Sequence, residues 1–464
     1  MTTVSRTRSA VAPGIDVAPR VRTPPLSWLM IFDYVAPWFG LGFMFLLIAI
    51  QLMKFGTDTL GIPAAVMGAI LFFGRTVWDA TVDPIVGFLS DRTNLRLGRR
   101  RPWLLASVIP LAVTFVMLWT PPRDHGPTFM SFWMAGIVVA FYTSMSVLVI
   151  PHTALGAELT DNYHDRSRIF GVRHVVTTLG SFAAVGGLYL LQTSSDVHRT
   201  LYWLAVGAAL ATALGTVWTL LRLRERPEFQ GRGAAHPYRA FRDVFRNPHA
   251  RLLLFVFGIE SLGAATIGVL TPYVAEYVVK RPEVGPPAIA LYMIANVVFV
   301  GVWLPLSRRF GKKALWLGSM VLTAVSFGAM MFLGEGTIAL LYVLAFVAGT
   351  AASCGNMLAP SIQADVIDWD EHATGERKEG AYFAAWNFVF KWANGLTLLL
   401  TGLVLQYSGF LPNAEQTPAV KLTILALYGL FPLACYLVGA LLFARFRLDE
   451  AGYAEIRGEL DARR

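Results

Sequence analysis

Twelve long apolar runs decide what this chain can fold into. A run of about 20 apolar residues is what a helix needs to cross a bilayer. The runs fall at 28–52, 64–90, 102–120, 129–157, 169–192, 200–221, 252–279, 286–306, 314–333, 337–364, 380–407 and 419–444. The fourth and tenth are over-long for one crossing and are expected to be shorter. Only 15% of the 464 residues are charged, against about 25% in ordinary soluble domains. An all-α membrane protein with twelve transmembrane helices is predicted. Residues 1–26 are polar, with Pro and Arg and no apolar core, so no cleavable signal peptide is expected.

Connections between the runs are short except for 222–251, which reads as a linker between two six-helix halves. The expected organisation is a tail at 1–27, a first half at 28–221, the linker at 222–251, a second half at 252–446 and a tail at 447–464. The net charge of +9 follows topology. Thirty of the 39 Lys and Arg lie on one side, in the N-terminal tail, the linker, the loops at 91–101, 166–168, 308–313 and 377–378, and from residue 445 onward. By the positive-inside rule that side, with both termini, is cytoplasmic. The basicity then implies contact with anionic lipid and no nucleic-acid partner. A multi-pass protein of a bacterial inner membrane, acting as a monomer, is expected.

No GxxxxGK[ST] phosphate loop is present, which speaks against ATP-driven transport. No GxSxG or HExxH occurs either, and no enzyme is expected. Cys354 and Cys435 fall in apolar runs without metal-ligand spacing and read as small packing residues. No cofactor is implied beyond a coupling ion.

The second run carries an anomaly. "VWDATVDP" (77–84) places Asp79 and Asp83 four residues apart, on one face of a helix. Two carboxylates there repel each other and lose hydration, and intramembrane acids are as a rule functional. The chain also repeats itself. "GRRRPWLL" (98–105) and "GKKALWLG" (311–318) each give Gly, two cations and a Trp five residues after the Gly, following the second and eighth runs. A weaker echo joins "AELTD" (157–161) to "ADVID" (364–368). Parallel six-helix repeats around an axis normal to the membrane are a transporter architecture.

"GFLSDRTNLRLGRR" (87–100) resembles the loop signature of the major facilitator superfamily. The resemblance implies the major facilitator fold, with Gly87, Asp91, Arg92, Gly98, Arg99 and Arg100 as a gating element that holds one conformation through charge contacts. "RTVWDATVDPIVG" (75–87), "AELTDNYHDRSRIFGVR" (157–173), "ADVIDWDEHATGERKEGAYFAAWNFVFKWANG" (364–395) and "LPNAEQT" (411–417) resemble the glycoside–pentoside–hexuronide:cation symporters, a melibiose-carrier-like family. In that family the acids matching Asp79 and Asp83 bind the coupling cation. Ser146 matches a family Thr that gives it a hydroxyl, the alternative being helix packing.

The same resemblance makes Lys391 a substrate-side and charge partner of the two acids. Arg75, one turn before Asp79, is either a neutralising partner or a structural ion. Arg173 matches a family Arg that grips sugar hydroxyls, the alternative being snorkelling to the membrane edge. Asn387, one turn before Lys391, is a candidate substrate contact. Departures from the family also count. Gly42 and Val149 occupy the positions of two acids with which galactoside-type members hold their sugar. A glycoside, pentoside or hexuronide remains the expected substrate; an anionic, lysolipid-like amphiphile and a non-transporting sensor are the alternatives. Val82 stands where Na⁺-using relatives often have Asn, which favours H⁺ over Na⁺. Glu260, in the seventh run, has no counterpart in the resemblance.

Overall fold

The computed structural model describes residues 26–122, 125–160, 163–223, 225, 244–374, 379–446 and 459. The expected tails and most of the expected 222–251 linker lie outside the described residues. Twelve helical spans account for the rest. They are α1 Trp28–Thr59, α2 Ala64–Arg92 and α3 Arg101–Trp119, α4 Pro127–Glu158 and α5 Tyr163–Thr193, and α6 Val197–Arg222 and α7 Pro248–Val278. After these come α8, which is Pro282–Val298 continued by Val300–Phe310, then α9 Lys312–Phe332 and α10 Ile338–Thr374. The last two are α11 Glu379–Ser408 and α12 Pro418–Phe443. No strand occurs among the described residues.

Local chemistry sets the ends and breaks. Side chains of Asp196, Asn247 and Thr417 cap α6, α7 and α12 by accepting backbone N–H groups of the first turn. Pro37 interrupts α1, because it has no N–H for the carbonyl of Asp33. That carbonyl accepts the Thr219 hydroxyl of α6 instead, at 2.7 Å. The two parts of α8 meet at 45° around Phe299, where Gly301 and Pro305 weaken the following turn.

Two expectations about length fail. α4 and α10 are 32 and 37 residues long, so neither is shortened. Cations hold the acids at which both leave the apolar run: Arg99 pairs with Glu158, the last residue of α4, at 2.6 Å, and Lys312 with Asp365, nine residues before the end of α10, at 2.7 Å. α1 also overshoots its run, reaching Thr59 through a π-turn that carries Lys54 and Asp58 as a buried pair. Lys54 is therefore a helix residue, although it lies beyond the apolar run.

The internal repeat is visible in space. Gly98 and Gly311 both have positive φ, +106° and +79°, at the entries to α3 and α9. The Arg99–Glu158 and Lys312–Asp365 pairs occupy equivalent places in the two halves. A further cation in each half reaches the end of its sixth helix: Arg101 to the Leu220 carbonyl at 2.5 Å, and Lys313 to the Phe446 carbonyl at 2.6 Å.

The halves meet where α2 packs on α11, α1 on α7 and α5 on α8. Glycine makes the first contact close. A Cβ on Gly68 would stand 2.7 Å from the Leu398 carbonyl, and Gly402 lies equally hard against the backbone of Ala64.

Candidate functional site

α2 is not a uniform helix. Residues Phe73–Trp78 form a π-turn, after which Asp79–Arg92 resumes the α-helical spacing. Single π-turns inside helices are frequent at functional sites. This one precedes the acid pair, and the Thr76 hydroxyl in it donates to the Lys391 carbonyl of α11 at 3.4 Å. Asp83 is nine residues from the end of α2, about 14 Å at 1.5 Å per residue.

Asp79, Asp83, Ser146 and Lys391 form one cluster. The Ser146 hydroxyl lies 3.1 Å from Asp79 Oδ1 and 2.6 Å from Asp83 Oδ1, so its single hydrogen serves one acid at a time. Lys391 Nζ is 2.7 Å from Asp79 Oδ2 and 2.5 Å from Asp83 Oδ2. Each carboxylate thus gives one oxygen to α4 and the other to α11. With both carboxylates ionised, they and the one ammonium sum to −1, which leaves room for one further positive charge. Side-chain exposures of 12%, 21% and 33% for Asp79, Asp83 and Lys391 leave it within reach of a small ion. Val82, between the acids, is buried and gives no side-chain oxygen.

The remaining candidates divide. Arg75 has no hydrogen bond or ion pair with either acid among the described residues, which corrects its place as their charge partner. It sits inside the π-turn, whose longer repeat breaks the four-residue stacking on Asp79. Among the described residues Lys391 is the cation that pairs with the acids. Asn387 is exposed one turn from Lys391, with no hydrogen bond among the described residues.

Arg173 lies apart from the acid cluster. Its guanidinium covers the rings of Trp38 and Phe170 at 4.5 and 4.7 Å, and its bond to the Thr153 hydroxyl is long, 3.5 Å. Trp38 in turn donates to His152 Nδ1 at 3.2 Å. The guanidinium is stacked within the first half, beside the Tyr34 hydroxyl. Asp33 is tied to α6 by Trp218 Nε1 at 2.8 Å and is structural.

The loop motif after α2 forms a dense charge cluster inside the first half. Asp91 pairs with Arg100, and Arg99 and Arg100 reach Glu158 at 2.6 and 3.2 Å. Glu225 accepts the backbone N–H groups of Arg99, Arg100 and Arg101 at 2.7 Å each, close against the Cα of Gly98. Two expected members fall outside it. Arg92 is exposed and stacks on Phe88 at 3.9 Å, because the helix end points it away from α4. Gly87 has room for a side chain, its nearest neighbour being Ile150.

Sequence reasoning missed a second cluster, on the side away from the basic loops. Lys54 bridges Asp58 at 2.8 Å and Glu276 of α7 at 2.5 Å. Asp58 also accepts the Tyr277 hydroxyl at 2.6 Å, and the Asn413 amide reaches its carbonyl at 2.6 Å. These bonds close the halves on that face. Their trace in the sequence is the i,i+4 pair Lys54 and Asp58 at the end of an apolar run. Beyond them, Glu415 and Glu335 hydrogen-bond Lys280 and hold its ammonium above the usual lysine range.

Residues 34–450 match the family described as MFS/sugar transport protein. The chain belongs to that family. This MFS transporter resembles an uncharacterized symporter of Bacillus subtilis, YjmB, at 30% identity over 438 residues, which covers 91% of this chain and 93% of the relative. It is 26% identical over 466 residues to the isoprimeverose transporter of Lactiplantibacillus pentosus, covering 95% and 93%. Among solved structures, a bacterial homolog of the human lysosomal transporter Spinster, inward-facing and unoccupied, matches with a TM-score of 0.65 at 12% identity, over 91% of this chain and 98% of that one. That likeness speaks for the fold alone. By family this MFS transporter is a multi-pass membrane carrier and not an enzyme.

Proposed function

We propose that the protein is a cation-coupled symporter that moves a glycoside, pentoside or hexuronide by alternating access, with the basic side cytoplasmic. The observation that carries this reading is the Lys391–Asp79–Asp83–Ser146 cluster, which has room for one further positive charge and joins α2 and α4 to α11 across the two halves. A cation that enters it competes with Lys391 for the carboxylates and so biases how the halves sit. The names of the relatives, a symporter and a sugar transporter, agree with coupling and with a sugar.

H⁺ is the favoured ion. A proton needs one carboxylate oxygen, whereas a hard cation needs several oxygens to replace its water. Here Lys391 already takes one oxygen of each acid and Val82 offers none. On this orientation the conformer is inward-facing, its outer face closed by Lys54, Asp58 and Glu276. A sugar is favoured over an anionic amphiphile, because Lys391, the cation paired with the acids, is engaged by both of them.

The test is uptake of radiolabelled methyl glycosides and D-glucuronate into membrane vesicles holding the protein. Accumulation above equilibrium that collapses with a protonophore is expected. Uptake that never exceeds equilibrium for every probe, with or without an imposed gradient, would refute the reading.

A further inference from the structure

The second half contains a polar cavity that the cation cluster does not use. It has a volume of about 260 Å³ and lies among α7 to α12, lined by Glu260, Tyr292, Trp316, Asn356, Asn394 and Tyr436. Glu260 is twelve residues into α7, about 18 Å from its start and so deep in the membrane. Its side chain runs over Gly439 of α12, where a Cβ would stand 3.3 Å from Glu260 Cγ. Among the described residues its carboxylate has neither hydrogen bond nor ion pair.

Three donors around it are also unsatisfied. The hydroxyls of Tyr292 and Tyr436 and the indole N–H of Trp316 make no hydrogen bond among the described residues. The Trp316 N–H faces Gly355, another part of the cavity wall, where an added Cβ would lie 3.2 Å away. Asn394 uses its amide on the Phe390 carbonyl at 2.9 Å and keeps its oxygen free. Polar groups that face one void and have no partner in the wall are satisfied there by a ligand or water that reaches several of them.

The chemistry of the wall selects the ligand. Glu260 accepts hydrogen bonds at two oxygens, which suits a pair of neighbouring hydroxyls. No Lys, Arg or His lines the cavity, so nothing in its wall would compensate the charge of an anionic group. The volume falls a little below the range of about 300–1,000 Å³ for drug-sized ligands and fits one sugar ring rather than an acyl chain. The first half has no acid at the two corresponding positions: position 149 is Val, and a Cβ on Gly42 would collide with the Thr177 carbonyl.

We infer that this cavity is the glycosyl-binding subsite, with Glu260 as the acceptor for hydroxyls of a neutral ring. The inference rests on the proposed symport of a glycoside and gives it a place. Phe390 and Asn394, in the cavity wall, flank Lys391 on α11, so a bound ring and a bound cation act on the same two turns of one helix.

The experiment measures calorimetric affinity of the full chain in lipid nanodiscs for methyl β-D-xyloside, methyl α-D-glucoside, methyl α-D-galactoside and D-glucuronate. At least one neutral glycoside should bind more tightly than D-glucuronate. Glu260→Gln should weaken it at least tenfold and Tyr436→Phe several-fold, with thermal midpoints of the empty proteins unchanged. Equal affinity in wild type and Glu260→Gln would overturn the subsite and leave symport standing; if Glu260→Gln does not fold, equal affinity in Tyr436→Phe has the same force. Tighter binding of D-glucuronate than of every neutral probe would also overturn it. Absence of both binding and transport for all four probes would remove the symport reading and the subsite together.

Discussion

Lys391 stands between two acids that pair with no other cation among the described residues, and its removal is informative. In Lys391→Gln both carboxylates face each other across Ser146 without a counter-charge. Breaking a buried ion pair costs about 3–5 kcal/mol, and less where the group is a third exposed and screened. The thermal midpoint should fall, and Asp79→Asn in the same chain should recover most of the loss. An unchanged midpoint in the single variant would mean that the cluster is not formed in the membrane. Arg173 tests the substrate side. An ammonium lacks the planar fork and the stacking surface that hold the guanidinium on Trp38 and Phe170. If Arg173 grips the sugar, Arg173→Lys should lower glycoside affinity by roughly tenfold, the loss of a charge-assisted bond of about 1.5–3 kcal/mol. Equal affinity would return it to a membrane-edge role.

At the scale of elements, the contact of α2 with α11 joins the halves, and glycine permits it. Gly402→Val would press a branched side chain into the backbone of Ala64. Overpacking of this kind costs about 1–3 kcal/mol, so a lower thermal midpoint and slower uptake are expected. Gly136, with open space at its Cβ position, serves as the control and should tolerate Val. Normal stability in Gly402→Val would show that the halves do not approach there. The spans themselves were legible from apolar runs because lipid demands about 20 such residues per helix. Their ends were less so. α1, α4 and α10 overrun because Lys54, Glu158 and Asp365 are neutralised by partners that the one-dimensional pattern does not display. The π-turn that separates Arg75 from the acids has no signal in hydropathy either.

Across the whole molecule, the acid pair and Lys391 are 308 residues apart for Asp83 and still share a bond. The acids stood out in the sequence because charge in an apolar run is costly, and the family resemblance tied Lys391 to them. Lys54, Glu276 and Asn413 did not stand out, since polar residues at span ends are ordinary; only the closed conformation of that face unites them. Glu260 was seen as an anomaly, and its cavity needed six helices to be placed together. The central claim is that cation binding at Asp79 and Asp83 drives accumulation. Its most direct test is uptake by proteoliposomes under an imposed pH gradient and, separately, an imposed Na⁺ gradient, in wild type and Asp83→Asn. The expected result is uphill accumulation in wild type under the pH gradient, and none in Asp83→Asn, which still exchanges substrate at equilibrium because its amide retains hydrogen bonds but not the coupling charge. Accumulation driven by Na⁺ alone would overturn the choice of proton; normal uphill uptake in Asp83→Asn would contradict the account itself.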